Sequence, residues 1–213
     1  YLEGYRVFFR HKDDVGNDDF IDNPYGFLTG GGYARRWSPN SPLSVGVALF
    51  AQGGAGFVYE DLANQFGTQD DLVSLFGGLR LAPSIAWRVN ERLSIGAALG
   101  INYSSAEQEF FKDTSLPRTE QSPGFQGFRL DGADGVSFSG KLGLLYQATP
   151  AWTVALTYAS ETPIKLEDGD LHLNYEADGI GVVRYRNAQV DGLALPQEVG
   201  LGVAWTPKRG WLL

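Results

Sequence analysis

Apolar residues alternate with small or polar ones along most of this chain, with a period of two. From 73 to 89 the odd positions read Val73, Leu75, Gly77, Leu79, Leu81, Pro83, Ile85, Trp87 and Val89. The even positions read Ser74, Phe76, Gly78, Arg80, Ala82, Ser84, Ala86 and Arg88. Side chains of a strand point to opposite faces in turn, whereas those of a helix recur every 3.6 residues, so the segment is a strand. The same parity sets Leu93, Ile95, Ala97, Leu99, Ile101 and Tyr103 against Ser94, Gly96, Ala98, Gly100, Asn102 and Ser104. Further on, Val136, Phe138, Leu142, Leu144 and Tyr146 oppose Ser137, Ser139, Lys141, Gly143 and Gln147. Finally Trp152, Val154, Leu156 and Tyr158 oppose Thr153, Ala155 and Thr157. One face suits lipid; the other suits a wet or ligand-filled interior. Only helices and closed barrels satisfy every backbone polar group inside a bilayer. The pattern predicts an all-β, transmembrane, antiparallel up-and-down barrel.

Eight strands are expected, at 1–10, 24–37, 43–59, 72–89, 92–108, 135–148, 152–165 and 195–206, with a ninth starting near Trp211. Several exceed the ~5–6 residues usual in soluble sheets, and a tilted barrel strand needs ~9–11 to cross the hydrocarbon. Short connections at 38–42, 90–91, 149–151 and 207–210 alternate with long ones at 11–23, 60–71, 109–134 and 166–194. Outer-membrane barrels sort their connections in this way, with short turns in the periplasm and long loops outside.

Charge follows the same division. The chain has 213 residues and a formal net charge of -8. All 25 carboxylates except Glu3, Glu91 and Glu198 lie in or beside the long connections. Two readings stand: solvated loops kept soluble by charge, or carboxylates bridged by divalent cations to lipopolysaccharide phosphates, since hard cations favour oxygen ligands. The spacing of an EF-hand is absent, so no metal ligand is assigned. A transmembrane helix is excluded, because no apolar run approaches the ~18 residues it needs. Mean hydropathy of -0.17 does not argue against a membrane, because alternation hides the lipid face. The 28 glycines, 13 Phe, 10 Tyr and 5 Trp suit twisted strands with aromatic girdles at the interfaces. There is no cysteine, hence no disulfide and no thiolate site. The first residue is Tyr1 and the last three are Trp211, Leu212 and Leu213, just past a turn. The expectation is a removed signal peptide, and a 213-residue piece of one longer barrel domain.

The inward face is small, which leaves room for a cavity. Its basic positions are Arg80, Arg88 and Lys141, with Arg6 and Arg10 by the same parity. They form either a salt-bridge network in the lumen or a partner for an anionic amphiphile, for which Arg offers a planar bidentate fork. One strand breaks the alternation. After 43–49 come Phe50, Ala51, Gln52, Gly53, Gly54, Ala55, Gly56, Phe57, Val58 and Tyr59. Three glycines in four positions mark a loop that begins early or a bend that opens the wall.

Four stretches resemble the FadL-type outer-membrane transporters of long-chain fatty acids and other hydrophobic compounds. Gly53–Asp61 sits where that family has a kinked third strand. Ala82–Gly96 is similar to its strand–turn–strand, with Trp87 in place of a tyrosine. Gly143-Leu144-Leu145-Tyr146, followed by Ala155–Leu166, is the nearest match, with Ala159 where the family often has arginine. Leu195-Pro196-Gln197-Glu198 resembles its Leu-Pro-Glu approach to the next strand. The resemblance spans most of 24–213. It implies a fourteen-stranded barrel plugged by an N-terminal hatch. The hatch, with its Asn-Pro-Ala signature, and the last strands are expected to lie outside this chain. It also implies ligand capture at the outer loops, an interior pocket and sideways release at the kink. Carried over, Gly53, Gly54 and Gly56 would shape the exit, with Phe57 beside them; the candidates to contact the ligand, a fatty acid or hydrocarbon, are Arg80, Arg88, Lys141, Phe50 and Phe76. The other expected partners are outer-membrane lipid and lipopolysaccharide. No cofactor, metal or nucleic acid is expected.

An enzyme is disfavoured: the two histidines, His11 and His172, fall in expected loops, and no Gly-x-Ser-x-Gly elbow occurs. A diffusion porin would need an open polar lumen with a charged constriction, against which the small apolar inward residues argue. A structural or adhesin barrel is compatible with long acidic loops. A soluble barrel or sandwich would be separated by its independence from detergent.

Overall fold

The computed structural model of the chain describes residues 1–206. In chain order the strands are β1 (Leu2–Arg6), β2 (Arg10–Lys12), β3 (Asp18–Phe20), β4 (Tyr25–Arg36), β5 (Leu43–Ala63), β6 (Gln69–Arg88), β7 (Leu93–Leu116), β8 (Phe125–Thr149), β9 (Trp152–Ala159), β10 (Thr162–Tyr175), β11 (Gly181–Leu195) and β12 (Glu198–Trp205). Ten of them make one antiparallel sheet, and β2 and β3 form a separate hairpin. The expected ninth strand near Trp211 and the turn at 207–210 lie outside the described residues.

Main-chain pairing runs β1-β4-β5-β6-β7-β8 and then forks. The half of β8 nearer the short turns pairs with β9, from Lys141↔Ala159 to Thr149↔Trp152. The other half pairs with β10, from Glu167↔Asp134 to Leu173↔Phe128. In turn β9 pairs with β12 and β10 with β11.

The register turns local alternation into two continuous faces. Trp87, Ile95, Leu144, Leu156 and Leu201 are cross-strand partners in one row; Leu49, Leu81, Ile101 and Phe138 form another. Most of these side chains are exposed, Leu201 at 76% and Phe138 at 61%. In water such a face would drive association; in a bilayer it is the lipid contact. The opposite face carries the row Gly46, Ser84, Ala98 and Lys141.

Two small cores sit towards the long connections. Ile164 and Leu166 of β10 are buried with Leu130 and Ala133, against Phe76 and Ala106. The base of the β10–β11 hairpin therefore lies across the inner face. Ile21, Tyr59 and Leu62 form the second core, where the segment after β3 packs on the far end of β5.

Four expectations need correction. Residues 1–10 are not one strand: β1 stops at Arg6, and Arg10 opens the β2–β3 hairpin inside the expected 11–23 loop. The 109–134 connection is largely strand, since β7 runs to Leu116 and β8 begins at Phe125. The 60–71 connection shrinks likewise, as β5 reaches Ala63 and β6 begins at Gln69. The 166–194 connection is largely the β10–β11 hairpin, and the expected strand 152–165 is broken at Ser160-Glu161 into β9 and the start of β10. The charges taken as marks of solvated loop are in part cross-strand pairs. Lys112 bonds Asp71 at 2.9 Å, Arg129 meets Glu109 at 3.2 Å, and Arg184 pairs with Asp170. At ~3.3 Å per residue, the 24 residues of β7 reach well past the hydrocarbon.

The β2–β3 hairpin is tied down by one carboxylate. Asp13 accepts the backbone N–H groups of Val15, Gly16 and Asn17 at 3.0–3.1 Å, and the Asn17 amide at 2.7 Å. Asn17 then clasps Ala63 of β5, donating to its carbonyl at 2.7 Å and accepting its N–H at 2.9 Å. The Asn17 side chain, with help from His11 and the backbone donors, holds the Asp13 carboxyl well below the usual aspartate range. Because the folded value is depressed, this stabilisation is complete above the unfolded value of ~3.9 and disappears as pH falls through the folded one. Amide exchange at Val15–Asn17 and Ala63, corrected for intrinsic rate, should be slow at pH 6 and accelerate as the pH falls below ~3.9. Asp13→Ala should give the fast exchange already at pH 6. Equal protection in the variant would remove Asp13 as the tie.

Candidate functional site

The inner face brings Phe50, Arg80, Asn102 and Ser137 into one cross-strand row on β5, β6, β7 and β8. Arg80 is half-buried and lies over Gly100: a Cβ built there would come within 2.6 Å of its Nε and Nη2. Glycine at 100 is thus what lets the guanidinium lie flat against β7. Beside it Asn102 is 1% exposed. Its amide donates to Ser139 Oγ at 3.2 Å and to the Ser137 carbonyl at 3.3 Å, while its Oδ1 has no partner. Among the described residues Arg80 has no ion pair and no hydrogen-bond acceptor of its own. A half-buried cation without a counter-charge is costly unless something else supplies one. Gly100, Asn102 and Ser139 carry no mark beyond their parity, because their meeting depends on register across three strands.

The other basic candidates are not gathered here. Arg88 is exposed near the short turn, eight residues along β6 from Arg80, about 26 Å at ~3.3 Å per residue. Lys141 is exposed and lines a shallow depression of about 300 Å³ with Ala34, Gly46, Ser84, Ala98 and Thr157. Arg6 stacks over Phe8 and Tyr25, at 4.7 and 5.4 Å from the ring centroids. Arg10 pairs with Asp18 in the β2–β3 hairpin, so parity misplaced it on the lumen face.

The glycine-rich stretch lies where the wall loses a neighbour. β4 pairs with β5 only from Gly30↔Phe50 to Arg36↔Ser44; its remaining residues pair with β1. On that side β5 next meets the chain at Val58, whose N–H donates to Asn23 Oδ1 and whose carbonyl accepts from Asp22, both at 2.9 Å. Between Phe50 and Val58, β5 has no β4 partner. Its pairing to β6 continues, with a register shift between Ala51 and Gly53. Gly53 has φ 145°, and a Cβ there would meet nothing within 4 Å. Gly54 and Gly56 follow on the unpartnered edge. Phe57 packs instead against the Ile21–Tyr59–Leu62 core.

Two cavities flank this stretch. One of about 270 Å³ is bounded by Tyr5, Phe9, Tyr25, Gly54, Gly56 and Phe76. The other, about 160 Å³, is bounded by Gly53, Gly54, Phe76 and Ser104 on one side and Thr162, Ile164 and Leu195 on the other. Phe76 and Gly54 line both. Thr162, Ile164 and Leu195 fall within the expected strands 152–165 and 195–206, but their alternation does not show that they face β5 across a cavity.

Of the two histidines, His11 bonds Asp13 at 3.0 Å and lies against Tyr59, while His172 is in β10. Among the described residues no group of three His, Asp or Glu side chains is arranged to hold a metal ion.

The family described as outer membrane protein transport protein (OMPP1/FadL/TodX) matches residues 27–213. Among solved structures, the Pseudomonas putida toluene transporter TodX superposes with a TM-score of 0.72 at 18% identity, over 99% of this chain and 57% of that one. A deltaS2S3 mutant of TodX, described as a monoaromatic hydrocarbon channel, gives 0.75 at 18% identity, over 99% and 57%. A Pseudomonas aeruginosa FadL homologue gives 0.66 at 13% identity, over 98% and 55%. The chain thus spans a little over half the length of these structures. No curated protein matches it.

Proposed function

The chain belongs to the outer membrane protein transport protein family (OMPP1/FadL/TodX), and on that footing we propose that it takes hydrophobic small molecules, foremost long-chain fatty acids, across the outer membrane without an energy source. Its fold is the antiparallel transmembrane β-barrel of FadL-type proteins, and its place is the outer membrane. Residues 1–213 are read as part of a single barrel domain.

The observation that carries the proposal is the stretch of β5 between Phe50 and Val58 that lacks a β4 partner, beside an inner face on which Arg80 has no ion pair among the described residues. A solute inside the barrel at Phe76 lies beside the glycine-bearing edge of β5 that has no β4 partner, with Tyr5, Phe9 and Tyr25 across the cavity. Transfer of an alkyl chain from water to the bilayer is downhill by ~0.8 kcal/mol per CH₂, so net movement inward needs no energy source. Arg80 would receive the carboxylate before release. Capture would begin at the outer ends of the long hairpins, amid lipopolysaccharide.

A second reading has its own observation. The 160 Å³ cavity at Gly53 and Gly54 is close to the ~150 Å³ of an engineered cavity that binds benzene, and TodX is named a toluene transporter. A neutral monocyclic hydrocarbon would fit it without Arg80.

Labelled oleate uptake by cells with and without the full-length gene, with toluene as competitor, tests both. Gene-dependent oleate uptake that resists toluene supports the fatty-acid route; competition by toluene supports the hydrocarbon reading. Gene-independent uptake of both would overturn the proposal and favour a diffusion porin or a structural barrel.

A further inference from the structure

A cavity of about 630 Å³ lies on the outward face, larger than those beside the bend. Its floor follows from one small residue. Ile85, Ala97, Leu142 and Tyr158 are consecutive partners across β6, β7, β8 and β9, and Ala97 alone lacks bulk. Trp87 and Leu144 of the adjacent row wall the dip. Followed the other way, the row continues from Ile85 to Val45 and then to Arg35.

Arg35 is therefore on the lipid-facing side, two strands from Ile85, or about 10 Å at ~4.8 Å per strand. It is exposed, and among the described residues it has no ion pair. The same is true of Arg36, Arg88 and Arg92, which lie beside the short turns with Glu91 as the only carboxylate of those turns. The ion pairs of the described residues lie towards the opposite end, between residues such as Lys112 and Glu109 or Arg184 and Asp170. A cation on the lipid face is costly at the midplane and tolerated at headgroup depth. Three residues before the 38–42 turn, Arg35 is at that depth.

We propose that this groove seats an anionic glycerophospholipid of the periplasmic leaflet. One acyl chain fills the dip over Ala97, and the phosphate-bearing head meets Arg35, whose fork suits phosphate oxygens. Charge decides the occupant: a second copy of the chain would bring the same uncompensated arginines to the contact, whereas an anionic head neutralises them. The inference rests on the outward face and its register, and does not depend on what the lumen carries.

The test is native mass spectrometry of the full-length protein in mild detergent, incubated with phosphatidylglycerol or phosphatidylethanolamine. The parent is expected to retain one phosphatidylglycerol in preference to phosphatidylethanolamine. Arg35→Gln should lower the retained fraction roughly fivefold, as loss of one basic residue at a membrane surface does. Ala97→Trp, which fills the dip, should abolish retention of both lipids, and Val136→Trp, on the same face of β8 but away from the groove, should change nothing. If Ala97→Trp does not fold, Ala97→Leu serves, with a smaller loss in the same direction. Equal retention of the two lipids by the parent would overturn the proposal. So would undiminished retention in the filled variant, or a native mass of two copies with the groove closed between them.

Discussion

Gly53→Val should remove most of the gene-dependent uptake while leaving ligand capture at the outer surface intact. The side chain has room, since no atom lies within 4 Å of its Cβ position, so only the backbone objects. A φ of 145° belongs to a region that is essentially glycine's own, and holding another residue there costs ~1–3 kcal/mol. The strand relieves that strain by drawing the extra residue at the Ala51/Gly53 register shift back into line. A straightened β5 brings its free edge towards β4 and narrows the gap between Phe50 and Val58. The same ~1–3 kcal/mol shifts a two-state population 5- to 150-fold, which sets the expected loss of uptake. Labelled oleate bound to cells on ice should be unchanged, because the β2–β3 hairpin and the outer cores do not involve Gly53. Equal losses of binding and uptake would sink the idea of a lateral exit and make the bend a folding requirement.

How far the sequence alone foretold this arrangement depends on the distance over which each feature is decided. Alternation at Val73–Val89 is decided within one strand, and the faces of β6, β7, β8 and β9 agree with it. The glycine run after Phe50 marked an irregular place in β5, because three residues without side chains weaken any strand. The break at Ser160-Glu161 carried no such signal. It arises because β8 exchanges β9 for β10 as its partner, and that choice is made by Leu130, Ala133, Ile164 and Leu166 packing together. The acidic stretch at 166–194 read as loop because Asp170 was counted as a solvent-facing charge; across the hairpin it has Arg184. Among the basic candidates, parity put Arg80, Arg88 and Lys141 on one face correctly, yet a face is long. Only register shows that Arg80 shares its row with Phe50 and Asn102, and that Arg88 is far down the same strand.

That separation makes the second large effect specific. Arg80→Leu is expected to weaken oleate binding ~10- to 100-fold. A hydrogen bond to a charged group contributes ~1.5–3 kcal/mol, and each 1.4 kcal/mol is tenfold in affinity. The estimate holds because no neighbouring carboxylate competes: among the described residues Arg80 has no ion pair, so its charge is available to a ligand. Removing it leaves no partner orphaned, and the protein should lose little stability. Arg80→Lys should recover only part of the affinity, since an ammonium presents a point charge where the guanidinium presents a fork. Arg88→Leu should leave oleate binding nearly unchanged, being about 26 Å away along β6 at ~3.3 Å per residue. Toluene has no group for the guanidinium to bind, so its affinity should be insensitive to all three substitutions. Fluorescent fatty-acid displacement on the purified full-length protein, repeated with toluene as displacer, reads these differences directly. If Arg80→Leu and Arg88→Leu weaken oleate equally, the lumen acts through its overall field and Arg80 is not a binding residue. If neither does, the anionic head is held elsewhere, and the small cavity at Gly53 and Gly54 becomes the better guide to what the protein carries.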